Sequence, residues 1–183
     1  MPIVRNLGAC IFFLFLSGCA CIGHPCYSSV VVARGVNMVL RIATEQDVIF
    51  ETEYWRIVLA KDQRYLGRSV IYLKRPAGDL AHITQEELND WHFVLRTLEN
   101  ALTKSFGATV YNWSYLTNNL FRWKPYTPLV HWHMRPRYNH PVVFVGIEFH
   151  DDAFGSHYER GNALIVSLDV RRRIIHEIQK NLQ

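Results

Sequence analysis

After Met38 the sequence contains no cysteine. A domain without thiols has no disulfide framework and needs no oxidising compartment. Net charge is scarce as well. The formal value is +4, from 20 lysines and arginines against 16 acids, too small an excess to argue for nucleic acid as the partner. It fits a protein whose pocket, rather than its whole surface, meets an anion. Internal repeats and low-complexity runs are absent, which excludes a solenoid or a fibrous array. What is present is an ordinary globular composition, 49% hydrophobic and 20% charged, long enough for one domain with a sizeable core.

The first 37 residues differ in kind. They hold no Asp or Glu, and they contain all four cysteines, Cys10, Cys19, Cys21 and Cys26. "LGACIFFLFLSGC" is too short for a membrane-spanning helix but looks like a lipoprotein signal, with Cys19 as its lipid-accepting residue. On that reading the protein is exported and anchored at Cys19. The blander reading is preferred: residues 1–37 are upstream sequence ahead of a start at Met38. Residues 38–183 are then a single domain, cytoplasmic and with no membrane contact. "CACIGHPC" matches no structural zinc spacing.

Along the domain, "DVIFETEYWRIVLA" reads as two short strands with a turn near Glu51–Glu53, being rich in β-branched and aromatic residues. "RSVIYLKR" is a third strand. Thr84 opens a long helix: Glu87 three residues on completes a capping box, and Leu88, Trp91, Leu95, Leu98 and Leu102 form an apolar stripe. Gly107 stands where a helix-terminating glycine belongs. Ala108–Asn119 is a fourth strand, "LVHWHMR" a fifth that stops at Pro136, and "NHPVVFVGIEF" an extended segment. Ser167–Leu182 closes the chain as a helix, with Ile174, Ile175 and Ile178 inward and Arg171–Arg173 in water. The expectation is an α+β domain: a mainly antiparallel five-stranded sheet, one long amphipathic helix and a C-terminal helix.

In "LVHWHMR" alternate residues share a face. Val130, Trp132 and Met134 form the core set. Leu129, His131, His133 and Arg135 form the other, which sets two imidazoles and a guanidinium in a row. Two histidines at this spacing could ligate zinc, but a third ligand is needed and the neighbouring cations oppose a dication. A hydrogen-bonded core pair is another reading. Phosphorus chemistry is the third, because a neutral imidazole is a good nucleophile near pH 7.

"LVHWHMRPR" resembles the signature of the histidine-triad family, and the likeness extends over about Asp47–Tyr138, in the order strand, strand, strand, helix, asparagine-bearing strand, histidine strand. The resemblance implies a hydrolase or nucleotidyl transferase acting at an α-phosphorus, on a nucleoside phosphoramidate or dinucleoside polyphosphate. His131 would be the nucleophile and His133 the third triad member, with no metal and no cofactor. The family's first histidine falls on Leu129, a departure; a histidine restored there would project toward the same pocket, unless Leu129 is core. The family asparagine falls on Asn118, with Asn119 beside it. Thr127 stands in for a Gln-Ser pair, here Pro125-Tyr126, and Asp62 is nearest to the ribose-holding position. Asn112 and Arg135 are further substrate-binding candidates. A purine nucleotide substrate and a homodimer are implied. A non-catalytic nucleotide-binding module is the rival reading, and a metal-dependent hydrolase the third.

Overall fold

The computed structural model describes residues 45–117, 129–157, 161 and 163–183. Five strands form one antiparallel sheet: β1 (Val48–Glu51), β2 (Trp55–Leu59), β3 (Ser69–Leu73), β4 (Val110–Tyr115) and β5 (His131–Arg137), in spatial order β1-β2-β3-β5-β4. The connection between β4 and β5 lies outside the described residues. Two strands, β6 (Val142–Phe144) and β7 (Ile147–Phe149), form a separate hairpin. Two helices complete the fold, α1 (Gln85–Phe106) and α2 (Leu168–Lys180). This is the α+β architecture expected. No helix of the described residues is long and apolar enough to cross a membrane.

Both helices cover one face of the sheet. Trp55, Ile57 and Leu59 of β2, Ile71 and Leu73 of β3, and Met134 of β5 point into a core shared with Val94, Leu98 and Leu102 of α1 and Ile174, Ile175 and Ile178 of α2. The capping box at Thr84 and Glu87 is formed, and Gly107 ends α1 in the left-handed conformation. Glu87 also pairs with Arg75, and its carbonyl accepts from the Trp55 indole at 2.9 Å, tying α1 to the sheet. Because Glu87 takes the inward position in the first turn, the buried stripe runs through Val94, Leu98, Ala101 and Leu102, and Leu88 is left 41% exposed. Gly67, in the turn before β3, has φ 83°, and a Cβ there would collide with Leu102.

Three further features depart from the sequence reading. β5 runs through Pro136 to Arg137 instead of stopping before it. β3 pairs with β5 only as far as Met134, so at Pro136 only β4 lies alongside, a position where a strand tolerates proline. "NHPVVFVGIEF" is a hairpin, turning at Val145 (φ 53°) and Gly146 (φ 73°). Both central residues have positive φ, as a type I′ turn requires, but valine is a rare choice there, which hid the turn. Arg171 is buried, not solvated. It sits one turn before Ile174 and Ile175 on the inward face, and its guanidinium binds Asp47 and the carbonyls of Leu59 and Ala60.

Candidate active site

The face of the sheet away from the helices carries the polar row. β5 lies between β3 and β4, with Tyr72 opposite His131, Val70 and Ser114 opposite His133, and Asn112 opposite Arg135. Directly opposed residues share a face, so Tyr72, Val70, Ser114 and Asn112 surround the two histidines. Arg68, just before β3, lies close enough to His133 to act on its charge.

His131 is fixed by its main chain. Its Nδ1 lies 3.0 Å from the carbonyl oxygen of Leu129. A carbonyl only accepts, so Nδ1 is the donor here, and in the neutral form of the ring Nε2 is the nitrogen that holds the lone pair. The Tyr72 ring stacks on the imidazole at 5.8 Å and 27°. Tyr72 is itself buried, and burial pushes its phenol well above the ordinary tyrosine range, so it serves as a neutral wall.

His133 meets the His131 ring edge-on, with centroids 5.0 Å apart and planes at 83°. Burial lowers its pKa to about 4, helped by the charges of His131, Arg135 and Arg68. At neutral pH it is an uncharged imidazole. Its Nδ1 is buried with no hydrogen-bond partner among the described residues. Arg135 is buried and donates to the Ser114 hydroxyl at 3.3 Å.

Leu129 is core. It is 2% exposed and packs with Val58, Tyr72 and Val70 on the histidine face itself, apart from the core under the helices. The group that orients His131 is the Leu129 carbonyl, which any residue would supply. Asn112 lies opposite Arg135, on the histidine face. Asn118, Asn119 and Thr127 lie outside the described residues. Asp62 is tied to the backbone N–H groups of Arg64 and Leu164 and to the guanidinium groups of Arg64 and Arg68. Burial would raise its pKa, but these bonds and the Arg68 charge hold it below the usual carboxylate range. It therefore anchors the loop before β3 to the segment at Leu164. Sequence reasoning missed Ser114 and Arg68. The alternation of aromatic Tyr111, Trp113 and Tyr115 with polar Asn112 and Ser114 carried the first; Arg68 lies just before β3, and no local pattern carried it. Among the described residues, no three His, Cys, Asp or Glu side chains gather as a metal site.

No family model and no curated protein matches the sequence. Solved structures do match the fold. A histidine-triad protein of Sinorhizobium meliloti aligns over 79% of this chain and 93% of its own, with TM-score 0.59 and 16% identity. A hypothetical histidine triad nucleotide-binding protein of Sulfolobus tokodaii aligns over 81% and 91%, with TM-score 0.56 and 13% identity. The chain has the histidine-triad fold. A diadenosine triphosphate hydrolase of Plasmodium falciparum is a further match, over 74% of this chain and 76% of that one, at TM-score 0.51 and 13% identity. Within the histidine-triad fold, β5 is the strand that carries the signature-like segment, and His131 and His133 stand on its open face.

Proposed function

We propose that the protein is a hydrolase or nucleotidyl transferase that cleaves nucleotides at an α-phosphorus through His131. The observation that carries this reading is the Nδ1 bond to the Leu129 carbonyl, which makes Nε2 the lone-pair nitrogen of the neutral ring, on the face of the sheet away from the helices. Nε2 attacks phosphorus. The P–Nε2 bond forms as the bond to the leaving group breaks, and the leaving group departs with the electron pair and takes up a proton. Water then attacks the nucleotidyl-imidazole, Nε2 regains its lone pair, and a nucleoside monophosphate is released with loss of a proton. Another acceptor in place of water would make the reaction a transfer.

Positive charge develops on the His131 ring during attack, and the Leu129 carbonyl stabilises it there. Neutral His133 supplies a donor toward a non-bridging oxygen, where negative charge accumulates. Asn118, Asn119, Asn112, Thr127 and Arg135 are proposed to hold the phosphate and Asp62 the ribose. The fold match to a nucleotide-binding protein and to a diadenosine triphosphate hydrolase supports a purine nucleotide substrate. The same reading makes the protein a cytoplasmic homodimer. The outer edge of β4, which no strand pairs among the described residues, and the exposed Phe93 of α1 support the dimer.

The rival reading, a non-catalytic nucleotide-binding module, draws on the apolar packing at Leu129. His131→Ala separates the two. Turnover of an adenosine phosphoramidate or diadenosine polyphosphate is expected to vanish while nucleotide binding persists. Turnover unchanged in the variant would remove His131 from the mechanism. Activity lost on chelation and restored by zinc would favour a metal-dependent hydrolase.

A further inference from the structure

The β6-β7 hairpin and the outer side of α2 border a groove of about 440 Å³. Phe144 and Val145 form one wall. The other is cationic, with Arg172, Arg173, His176 and Lys180, and Glu177 is the single acid of the lining. The hairpin wall is held in place, because the Phe144 ring meets Phe106 of α1 edge-on, with centroids 5.2 Å apart. The α2 wall is held from the opposite side of the helix, where Arg171, Ile174, Ile175 and Ile178 are buried.

Local structure does not explain Val145. Its φ of 53° lies in the left-handed region, which a β-branched residue rarely occupies. Glycine would suit that position better, as it does next door at Gly146. Burial does not account for the valine, since it stays 39% exposed. Backbone strain kept without burial points to a contact outside the fold, and the side chain lines the groove. On the facing wall, local pairs take up part of the charge: Arg173 binds Asp169 and Lys180 binds Glu177, each at 3.0 Å. Arg172 and His176 are exposed and have no ion pair or hydrogen bond among the described residues. Arg172, His176 and Lys180 recur every fourth residue, so they form a row on one side of the helix, about 6 Å apart along its axis.

We infer that this groove docks an extended acidic segment of a partner protein, with carboxylates at alternate positions and aliphatic side chains between them. Alternate residues of an extended chain point the same way and lie about 7 Å apart, close to the spacing of the row on α2. The carboxylates then meet the cations, and the intervening aliphatic side chains meet Phe144 and Val145 on the other wall. Charge complementarity of this kind sets partner choice and association rate. The helices cover the face of the sheet away from the histidines, so the site is separate from His131 and does not depend on the nucleotide reading.

Fluorescence anisotropy of the full chain with labelled peptides tests this. The probes are Glu-Val-Glu-Val-Glu-Val-Glu, a peptide of the same composition with its acids in one block, and Lys-Val-Lys-Val-Lys-Val-Lys. The alternating acidic peptide is expected to bind at least about tenfold tighter than either control, and less tightly as ionic strength rises. Arg172→Gln combined with Lys180→Gln should remove that preference, and Arg96→Gln, on the exposed side of α1, should keep it. Val145→Gly should weaken binding severalfold with no fall in Tm, a combination that a purely structural valine would not give. No binding of the alternating peptide, or equal binding of either control, would overturn the site. So would a preference that survives the double substitution, is lost equally in Arg96→Gln, or ignores Val145→Gly. Sedimentation with vesicles of equimolar phosphatidylcholine and phosphatidylserine, lost in the double variant and unaccompanied by peptide binding, would also overturn it and make this face a membrane contact.

Discussion

Leu129→His restores the side chain that a complete histidine triad carries, and it is expected to weaken the fold without improving catalysis. Leu129 is 2% exposed and packs on Val58, Tyr72 and Val70. Removing a buried leucine forfeits about 2 kcal/mol of transfer free energy. The imidazole would bring polar nitrogens among apolar neighbours, and a buried group left unsatisfied costs about 1–3 kcal/mol more. The total is roughly 3–5 kcal/mol, a large part of the stability of a single domain. For a domain of roughly 150 residues this lowers Tm by about 10 °C. Catalysis has little to gain, because His131 is oriented by the main-chain carbonyl of residue 129, whatever side chain stands there. Thermal melting and steady-state kinetics on the same purified variant decide the matter. A tenfold rise in kcat, about 1.4 kcal/mol of transition-state stabilisation, with Tm unchanged would refute the argument. It would mean that the imidazole finds a place in the pocket and that the leucine weakens the site.

His133, with a pKa of about 4 against its ordinary 6.5, makes stability depend on pH. Between those values the unfolded chain binds the proton and the folded chain does not. Stability is therefore full above about pH 6.5 and falls as pH drops toward 4, by on the order of 3 kcal/mol from this residue. Denaturant melts of wild type and His133→Gln at pH 7 and pH 5 should show a flatter dependence in the variant; parallel curves would contradict the assignment. Arg137 is 2% exposed and its guanidinium is bound by both oxygens of Asp151. Asp151→Asn leaves that charge uncompensated and should cost about 3–5 kcal/mol in urea melts; a loss below about 1 kcal/mol would show that the carbonyls of Ala153 and Ser156 suffice.

The elements with strong local signals were legible from sequence. The capping box at Thr84, the glycine at 107 and the alternation through His131–Arg135 each rest on a residue's own backbone or parity, and each stands as read. The places that were not legible depend on the partner across the fold. Arg171 looked solvated beside Arg172 and Arg173, yet Asp47, 124 residues away, draws it inward. Pro136 looked like a terminus because the end of β3 cannot be seen in β5 alone. Leu129 shares the parity of the histidines but is buried beside them against Val58, Tyr72 and Val70, since parity gives the face and not the burial. Alternation marks Ser114 as a polar residue of its strand, but its place beside His133 needed the strand order β3-β5-β4, which no local pattern contains.

The central claim is that His131 Nε2 forms a covalent bond to phosphorus. Rapid acid-free quenching of the wild type with a labelled diadenosine polyphosphate, followed by intact-mass analysis and peptide mapping, tests it directly. The account predicts one nucleotidyl group on His131, formed and lost at rates that match turnover, and none on His131→Ala. Turnover by the wild type with no adduct at His131 at any quench time, under conditions that preserve phosphoramidates, would contradict it.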